Sequence, residues 1–406
     1  MKMNTRFFST FAPLVFGFCL GALNLHASDW PRWLGPDGSN RTSDPAFQAD
    51  LAKYTPAWEA KIGRGYSSVI VAGGKAIVLG HDEQTGETVF CLDAATGKEL
   101  WKHAYPAELL PRMHPGGPNA SATVVGDRVL TLSKDGQLFC LNVKDGTKVW
   151  EAKLTAAMGI EVPQWGFGSS PVVSGKTVLA SAGKVIALDL DTGKTLWVTQ
   201  GEQTAAYATP VPFARNGVSY IAAMNGKGLS VLSAKDGAEL AHRPMTAQFN
   251  LLATSPVVLE QGNRIFMSGN ASSELLTFDG KTLTPVWTGK DIRNALNESI
   301  VVGDTIYGID GRQGTPARLV AVNLADGKLR WAKDSFGYGT TIGIGDALLA
   351  LTETGELIAA KMKPDGYEET GRLQILGKTC WTTPTVAHGR IYARNDQGNL
   401  ICLSAK

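Results

Sequence analysis

Ile186-Ala-Leu-Asp-Leu-Asp-Thr-Gly-Lys-Thr-Leu-Trp197 is the stretch that decides the fold of this chain, because it recurs. Three segments align with it without gaps, and three weaker copies extend the series. The full matches run from Phe90 to Trp101, from Phe139 to Trp150 and from Val320 to Trp331, and the weaker ones from Ser230 to Ala241, from Leu276 to Trp287 and from Ile358 to Gly366. A length of 406 residues alone would suggest two or three domains. The tryptophans follow one another at 43 to 49 residues, or at 90 where one copy lacks its tryptophan, and this period indicates one repeat architecture instead.

Each repeat contains four short runs rich in β-forming residues, separated by turns that contain glycine. In residues 168–200 the runs begin at Ser170, Thr177, Val185 and Thr195. The Thr-Gly and Asp-Gly pairs suit tight hairpins, because glycine adopts positive φ without a Cβ clash. Such turns explain why 46 of the 406 residues are glycine. Four antiparallel strands repeated radially predict an all-β propeller, and no repeat contains a useful amphipathic helical stretch.

The two ends of the chain give the number of blades. Leu400 to Lys406 matches the third strand of a repeat, whereas Thr55 to Ile62 looks like a fourth strand, with Trp58 as the final tryptophan of the motif. Joining the two ends completes one blade and removes exposed sheet edges. Third strands are expected near residues 90, 139, 186, 230, 276, 320, 358 and 401. Residues 55–406 are therefore predicted to form an eight-bladed β-propeller of four-stranded antiparallel blades, closed by pairing of the N-terminal and C-terminal strands.

The N-terminus has the pattern of a secretory signal peptide. Lys2 and Arg6 precede an apolar run over residues 7–23, and the small residue Ala27 follows. Residues 1–27 are predicted to be this signal, cleaved after Ala27, and residues 28–54 to be an N-terminal extension. The alternative is a retained membrane anchor, since the apolar run is nearly long enough to span a bilayer. We expect a periplasmic or secreted monomer with no membrane span after cleavage.

Charge argues against nucleic acid as a partner. The chain has 39 lysines and arginines and 37 aspartates and glutamates, and two of the cations fall within residues 1–27. The mature chain would therefore be neutral, with 37 residues of each sign. A protein that binds nucleic acid without sequence specificity needs a basic excess to neutralise phosphates.

The cysteines are predicted to be unpaired. Cys91, Cys140 and Cys402 occupy the same place in three third strands. Stacked sheets lie about 10 Å apart, whereas a disulfide needs Cα atoms within about 7 Å. Cys380, just ahead of a first strand, is also expected to be a free thiol. Cys19 is a poor lipidation site because Phe18 stands where a small residue is needed.

The pattern Ala/Cys-Leu-Asp-x-x-Thr/Asp-Gly-Lys-x-x-Trp resembles the pyrroloquinoline-quinone (PQQ) repeat, the blade motif of quinoprotein alcohol dehydrogenases and of BamB-type outer-membrane assembly factors. The resemblance covers residues 55–406, and Asp29 to Gly38 is similar to the opening of secreted bacterial PQQ-like proteins. It implies that the final tryptophan of each motif packs between adjacent blades. This structural role falls on Trp58, Trp101, Trp150, Trp197, Trp287 and Trp331. The junctions after Ala241 and Gly366 lack this residue and are expected to be the weakest.

Chemical motifs are missing from the sequence. The quinoprotein dehydrogenases that this chain resembles hold PQQ beneath a disulfide between adjacent cysteines, with a calcium ion held by Glu and Asn, and no Cys-Cys pair occurs here. The Gly-Lys-Thr triplets lack the glycine that a phosphate-binding loop requires, and no nucleophile elbow, zinc motif or calcium loop is present. No catalytic residue, metal or cofactor is predicted, and PQQ with calcium belongs only to the alternative function below.

The loops that converge on the central channel carry the candidate binding residues. The predicted ligand- or partner-binding rim consists of Arg64, Tyr66, Arg112, His114, Trp165, Arg293, Asn297, Arg312, Tyr338 and Trp381. Trp165 and Trp381 lie outside the docking register, and Arg and Trp are frequent in binding hot spots. The alternative for each of these residues is a solvated turn.

Two functions follow from the resemblance. The leading expectation is an exported, non-catalytic scaffold that offers its propeller face to an envelope protein or an extracellular ligand, as BamB-type proteins do in outer-membrane assembly. The alternative is a PQQ-dependent alcohol or sugar dehydrogenase that lacks the adjacent disulfide. One fold hosts many functions, so the repeat itself does not choose between them.

Overall fold

The computed structural model describes residues 29–201, 204–248 and 251–406. The predicted signal peptide lies outside these residues. In the described part of the chain, eight antiparallel sheets of four strands follow one another, and one of them gains a fifth strand from the N-terminal extension. The eight-bladed β-propeller predicted from the repeats is confirmed. We number the blades 1 to 8 by the position of their first strands in the chain.

Blades 1 to 4 each use four consecutive strands. Blade 1 consists of Ile70–Ala72, Lys75–His81, Gly86–Asp93 and Glu99–Pro106. Blade 2 consists of Thr123–Val125, Arg128–Leu132, Gln137–Asn142 and Lys148–Lys153. Blade 3 consists of Val172–Ser174, Thr177–Ala182, Lys184–Asp189 and Thr195–Val198. Blade 4 consists of Val211–Arg215, Val218–Asn225, Gly228–Ser233 and Glu239–Pro244.

Blades 5 and 6 repeat the same order, whereas blades 7 and 8 recruit N-terminal strands. Blade 5 consists of Val257–Leu259, Arg264–Ser268, Ser273–Phe278 and Leu283–Gly289. Blade 6 consists of Ile300–Val302, Thr305–Asp310, Arg318–Asn323 and Leu329–Lys333. Blade 7 consists of Gly339–Ile344, Ala347–Thr352, Glu356–Lys361, Glu369–Gln374 and the added strand Arg41–Thr42. Blade 8 consists of Thr385–Ala387, Arg390–Arg394, Asn399–Ala405 and Tyr54–Lys61.

The part of the chain that the structure describes contains little helical structure. One α-helical turn, Leu154–Met158, follows blade 2, and 3₁₀ turns occur at Leu51–Lys53 and Glu260–Gly262. Among the residues that the structure describes, no helix has the length and apolar character needed to cross a bilayer.

The ring closes by pairing the two ends of the propeller, as the sequence predicted. Tyr54–Lys61 lies antiparallel to Asn399–Ala405, and Trp58 stands opposite Cys402. Cys91 and Cys140 stand opposite Trp101 and Trp150 in the same way. The four cysteines of the described chain are buried and free, which confirms the prediction of unpaired thiols.

Tryptophans of the motif join neighbouring blades through their indole N–H groups. In five cases the indole donates to a backbone carbonyl of the next blade at 2.8 to 3.2 Å. The pairs are Trp58 with Ala94, Trp101 with Val143, Trp150 with Leu190, Trp287 with Leu324, and Trp331 with Lys363. The ring of Trp197 packs against Gly237 of blade 4. A buried indole thus keeps a hydrogen-bond partner while its ring fills the space between sheets.

The turn glycines have a second role beside their positive φ. Gly193 has φ +70°, and a Cβ built on it would lie 2.6 Å from Cδ2 of Trp150. Gly97 stands in the same relation to Trp58. The glycine and the tryptophan of adjacent repeats are therefore parts of one contact, because a side chain on the glycine would displace the ring.

Blades 4 and 5 meet without the docking tryptophan, which Ala241 replaces. Here the Phe213 ring stacks on Tyr220 at 5.4 Å between centroids, and Tyr220 meets Phe278 of blade 5 edge-on at 5.2 Å. The guanidinium of Arg215 donates to the backbone carbonyl of Asp279 at 3.0 Å. An aromatic cluster and one arginine thus fill the junction that lacks the indole.

Blades 7 and 8 also lack a docking tryptophan, and the N-terminal extension fills its place. Gly371 stands opposite Ala359 in the register that holds tryptophan in other blades. A Cβ on Gly371 would lie 2.6 Å from the backbone nitrogen of Leu51. Leu51 is 0% exposed and belongs to the main apolar core that includes residues of blades 7 and 8.

The extension also crosses one end of the channel. Trp30 forms a bridge with Val71 of blade 1, and the carbonyl of Pro31 accepts from the N–H of Val124 in blade 2 at 2.8 Å. Arg41–Thr42 then runs parallel to the first strand of blade 7. Because first strands line the channel of a propeller, residues 29–42 lie across the ends of several of them.

Candidate functional site

A ring of hydroxyl side chains surrounds the central channel. Six blades place a serine or threonine two residues before the first strand: Ser68, Ser121, Ser170, Thr209, Ser255 and Thr383. In three successive steps the backbone N–H of one member donates to the hydroxyl of the next at 2.9 to 3.0 Å. These bonds run from Ser68 to Ser121, from Ser121 to Ser170 and from Ser170 to Thr209. These bonds thus link the first strands of neighbouring blades to one another.

Glu298 adds a carboxyl group beside this ring. It directly precedes Ser299, and its carboxylate accepts from the backbone N–H of Ser255 at 3.0 Å and from the Ser255 hydroxyl at 2.9 Å. Complete burial raises the pKa of Glu298 to about 7, against the opposing effect of hydrogen bonds from Ser255 and Trp33. Trp33 belongs to the N-terminal extension, so this contact ties the extension to blade 6.

A cavity of about 330 Å³ opens at the channel, at the lower end of the size range of ligand pockets, about 300–1,000 Å³. Five aromatic side chains line it, each only partly buried: Trp33, Tyr66, Trp165, Tyr207 and Trp381. Carboxamides and threonines stand between them: Asn119, Gln248, Asn270, Gln313, Thr209, Thr382 and Thr383. His114 and Arg312 are the lining residues of the described chain that can carry a positive charge.

The aromatic rings form two groups on opposite loops. Tyr66 and Trp381 stack with 5.9 Å between centroids and 22° between planes, and His114 meets Tyr66 edge-on at 5.2 Å. Trp165 and Tyr207 lie 5.4 Å apart at 60°. The cavity therefore has two separate aromatic surfaces rather than one continuous stack.

Hydrogen bonds between loops hold these rings in place. The indole N–H of Trp381 donates to Glu353 Oε2 at 3.3 Å, and the Thr382 hydroxyl donates to the carbonyl of Tyr66 at 3.3 Å. The Asn119 amide donates to the carbonyl of Trp165 at 3.0 Å. Each group is thus anchored by a neighbouring blade, which pre-organises the cavity.

The side chains that line the cavity are neutral or positively charged. Burial lowers the pKa of His114 to about 4, so its imidazole is neutral at pH 7. Arg312 is exposed at the mouth and donates to Gln248 Oε1 at 3.2 Å. No aspartate or glutamate is among the described residues that line the cavity. Its surface is consequently suited to neutral or anionic groups.

A buried lysine supports the wall from behind. Lys134 is 0% exposed, and its ammonium donates to Asn119 Oδ1 at 3.4 Å. Desolvation lowers the pKa of Lys134 to about 7, whereas the nearby Glu87 raises it. Burial raises the pKa of Glu87 to about 7 in turn, although its carboxylate accepts from the Tyr105 hydroxyl at 2.9 Å. Lys134 thereby orients the amide that holds Trp165.

Of the predicted rim residues, five line this cavity: Tyr66, His114, Trp165, Arg312 and Trp381. Two of the others are buried in the scaffold. The Asn297 amide donates to the carbonyl of Ile309 at 2.8 Å, and the Tyr338 hydroxyl accepts from the N–H of Leu296 at 3.1 Å. Both side chains satisfy backbone groups and do not reach the cavity.

The remaining three predicted rim residues lie apart from the cavity. Arg64 pairs with Glu83 at 3.0 Å, and Arg293 pairs with Asp310 at 2.8 Å. Arg112 is exposed and lines a separate surface groove between blades 1 and 2. The structure therefore brings together all of the predicted aromatic residues except Tyr338, and it separates most of the predicted arginines from them.

Tyr207 and Trp33 are cavity residues that the sequence did not single out. Tyr207 stands two positions before the ring threonine Thr209, as Tyr66 stands before Ser68. Aligning the repeats on the ring hydroxyl would have found it. Trp33 has no counterpart in any repeat, so no periodic signal could have indicated its place.

The residues at the channel do not fit a calcium ion with PQQ. The described residues contain no group of three or more His, Cys, Asp or Glu side chains that could hold a metal ion. The Glu298 carboxylate is enclosed by Ser255 and Trp33, and the cavity lining offers no carboxylate in its place. The four free cysteines lie on different elements. The adjacent disulfide has no equivalent among the described cysteines.

Comparisons with known proteins agree with the fold. The family model described as outer membrane protein assembly factor BamB matches residues 85–333. The chain is similar to the outer membrane protein assembly factor BamB of Yersinia pestis, with 25% identity over 78% of this chain and 77% of that protein. It is also similar to the solved structure of quinohemoprotein alcohol dehydrogenase from Comamonas testosteroni, with a TM-score of 0.71 and 12% identity, covering 94% of this chain and 81% of that one.

Sequence similarity to quinoprotein enzymes is more local. The quinoprotein ethanol dehydrogenase of Pseudomonas aeruginosa is 30% identical over 37% of this chain and 26% of its own length. The chain spans about a quarter or less of the length of the first curated relatives that it matches. These sequence matches extend over a few blades only.

Proposed function

The chain belongs to the family of the outer membrane protein assembly factor BamB, and from this premise we propose that it is a non-catalytic binding propeller of the bacterial cell envelope. Its binding site is the aromatic cavity at the channel. A partner or ligand enters from the loops that carry Trp165 and Trp381, because residues 29–42 cross the first strands elsewhere. The proposed role is to hold a ligand or an envelope protein at this mouth.

The partly exposed aromatic rings carry this proposal. Docking tryptophans range from 7 to 9% exposed at Trp58, Trp101 and Trp150 to partly buried in the other three blades, but each of them packs on a neighbouring blade. The partly buried rings at the cavity instead line one shared open space. Leaving several large rings partly hydrated forgoes the free energy of burying them, and a bound partner would recover it. Trp and Tyr are also the residue types that dominate binding hot spots.

Co-purification tests the binding role and its relation to outer-membrane assembly. The tagged full chain would be captured from envelope extracts beside the double variant Trp165→Ala/Tyr207→Ala. Leu196→Ala serves as the control, because this residue is 52% exposed on the outer strand of blade 3. We expect the outer-membrane barrel assembly machinery with the wild type and the control, and at least tenfold less with the double variant. Loss of that machinery from all three samples would remove the assembly role and leave only the ligand-binding role.

Oxidoreductase activity is the second candidate, favoured by the similarity to quinoprotein ethanol dehydrogenase. It predicts that added PQQ and calcium bind stoichiometrically and support dye-linked oxidation of alcohols. The enclosed carboxylate of Glu298 argues against it, because no other carboxylate lines the described part of the cavity to hold the calcium ion. Robust turnover under these conditions would overturn the non-catalytic role.

Location in the envelope has its own test. Cell fractionation and N-terminal sequencing of the expressed full chain should give a soluble periplasmic or secreted protein that begins at Ser28. A retained anchor would instead leave the uncleaved chain in the membrane fraction.

A further inference from the structure

We propose that the ligand of this cavity is a saccharide, bound as one or two pyranose rings between the two aromatic groups. This inference rests on the proposed function, because it assigns a chemical class to the ligand of the same site. It is carried by the combination of aromatic faces, carboxamides and hydroxyls in one small cavity, together with the sign of its charges.

The aromatic groups supply two faces for a pyranose ring. A sugar presents a patch of C–H bonds on one face and hydroxyl groups around its rim. The faces of Trp and Tyr rings carry partial negative charge, which attracts such C–H hydrogens. Trp165 and Tyr207 form one platform, and Tyr66 with Trp381 forms the other. Hydrogen bonds from neighbouring loops hold both groups, and all four rings remain partly exposed.

Polar side chains between the platforms match the hydroxyl rim of a sugar. A carboxamide has two donors and two acceptor lone pairs, so it can bond adjacent hydroxyls in both directions. Asn119 uses one donor toward Trp165 and one lone pair toward Lys134, and therefore retains one of each. Gln313 and Thr383 line the same space. An apolar ligand would leave these groups unpaired, which costs about 1–3 kcal/mol for each buried group.

Charge excludes the other common ligands of aromatic cages. Cations bind over aromatic faces, but the only charged residue that lines this cavity in the described chain is Arg312, and His114 is neutral. An amine or quaternary ammonium would face Arg312 without a balancing carboxylate. A neutral sugar meets no such penalty, and an acidic sugar gains a partner in Arg312, whose guanidinium retains donors beyond the one bonded to Gln248.

Size argues for a small ligand rather than a folded partner. The enclosed volume of about 330 Å³ is near the lower limit for ligand pockets. A protein partner that needs about 800 Å² of contact area on each side would make most of its contacts with the surrounding loops, and only a short segment of it could enter the cavity. A short saccharide fills the cavity.

Binding to defined sugars tests this proposal. The purified full chain would be screened on a glycan array, and hits would be measured by titration calorimetry beside cellobiose, maltose and digalacturonic acid. We expect at least one saccharide to bind. If Arg312 selects acidic sugars, Arg312→Gln should weaken the binding of digalacturonic acid about tenfold and leave the affinity for cellobiose unchanged. Absence of any saccharide signal above that of the Trp165→Ala variant would overturn the proposal, as would tighter binding of choline or of PQQ.

Ring variants separate a binding role from a structural one. Trp165→Ala should weaken saccharide binding by about tenfold or more, whereas Trp165→Phe should keep much of the affinity because it retains an aromatic face. Leu196→Ala should bind like the wild type. Equal binding by Trp165→Ala and the wild type would contradict the site assignment.

The outcomes distinguish this inference from the function on which it rests. If envelope proteins co-purify in a Trp165-dependent manner but no saccharide binds, only the ligand class is wrong. If a saccharide binds but the assembly machinery does not co-purify, the assembly role is wrong and the saccharide site stands.

Discussion

Gly371 of blade 7 lies against the backbone of Leu51, at the position where six other blades place a docking tryptophan over the next blade. The two residues are 320 positions apart in the chain. A segment outside the repeats thus completes the junction between blades 7 and 8, beside the strand pair that closes the ring.

Leu51→Ala should therefore destabilise the whole propeller. The side chain is 0% exposed, and truncating a fully buried leucine costs about 2–5 kcal/mol through lost burial and the cavity that remains. Urea unfolding followed by tryptophan fluorescence would measure the loss. Leu196→Ala, at a residue 52% exposed, should change the free energy of unfolding by less than about 0.5 kcal/mol. Equal effects of the two substitutions would show that the extension is not part of the folded core.

The blade repeats could be predicted from sequence because each one carries the same turn glycine and tryptophan, and these two residues form one contact between neighbours. The fillers of the two irregular junctions could not be predicted in this way. Leu51, Phe213 and Arg215 act at one place each, so no periodicity marks them. The weakness predicted for these junctions stays a prediction.

The candidate site was predictable in part, for a similar reason. Loops that precede first strands converge on the channel in every propeller, and this rule led to Tyr66, Trp165 and Trp381. This rule could not show which polar side chains of these loops are buried in the protein core instead of lining the cavity. Asn297 and Tyr338 are buried in this way because backbone groups near them need partners, and those needs arise only in the folded chain.

Two glycines of blade 3 separate backbone strain from contact with the docking tryptophan. Gly193 and Gly175 have φ of +70° and +61°, but a Cβ would strike the Trp150 ring only at Gly193 and would meet open space at Gly175. Gly175→Ala should cost about 1–2 kcal/mol from the left-handed conformation alone. Gly193→Ala should cost clearly more in the same urea titration. Similar losses for both would mean that the ring shifts freely and that the glycine serves the turn alone.

Phe213→Ala tests the junction that lacks a tryptophan after blade 4. The ring stacks on Tyr220, and both rings meet Phe278 of blade 5 edge-on. Replacing a fully buried phenylalanine by alanine lowers the free energy of unfolding by about 3–5 kcal/mol. We expect about 2–3 kcal/mol here because Phe213 is only partly buried. Trp101→Ala provides the reference for an ordinary junction. A change below about 0.5 kcal/mol for Phe213→Ala would show that this cluster does not carry the junction.

Glu298 should make stability depend on pH in a defined direction. Burial raises the pKa of this carboxyl in the folded chain to about 7, above its ordinary value of 4.5. Between these two values the folded state holds a proton that the unfolded state releases, so the stability contributed by Glu298 falls as the pH rises from 4.5 to 7. Above pH 7 this loss of stability is complete. A difference of this size between the folded and unfolded pKa values corresponds to about 3 kcal/mol in the free energy of unfolding.

Glu298→Gln removes this titration while keeping a neutral side chain of the same shape. The variant and the wild type should be about equally stable at pH 4.5, and the variant should be more stable at pH 8 by about 3 kcal/mol. Urea unfolding of both proteins at several pH values would measure the difference, which cancels the contributions of Glu87, Lys134 and other titrating groups. A difference that stays constant from pH 4.5 to 8 would mean that the Glu298 carboxyl is ionised in the folded chain over this whole range. The hydrogen bonds from Ser255 and Trp33 would then outweigh the cost of burying the charge.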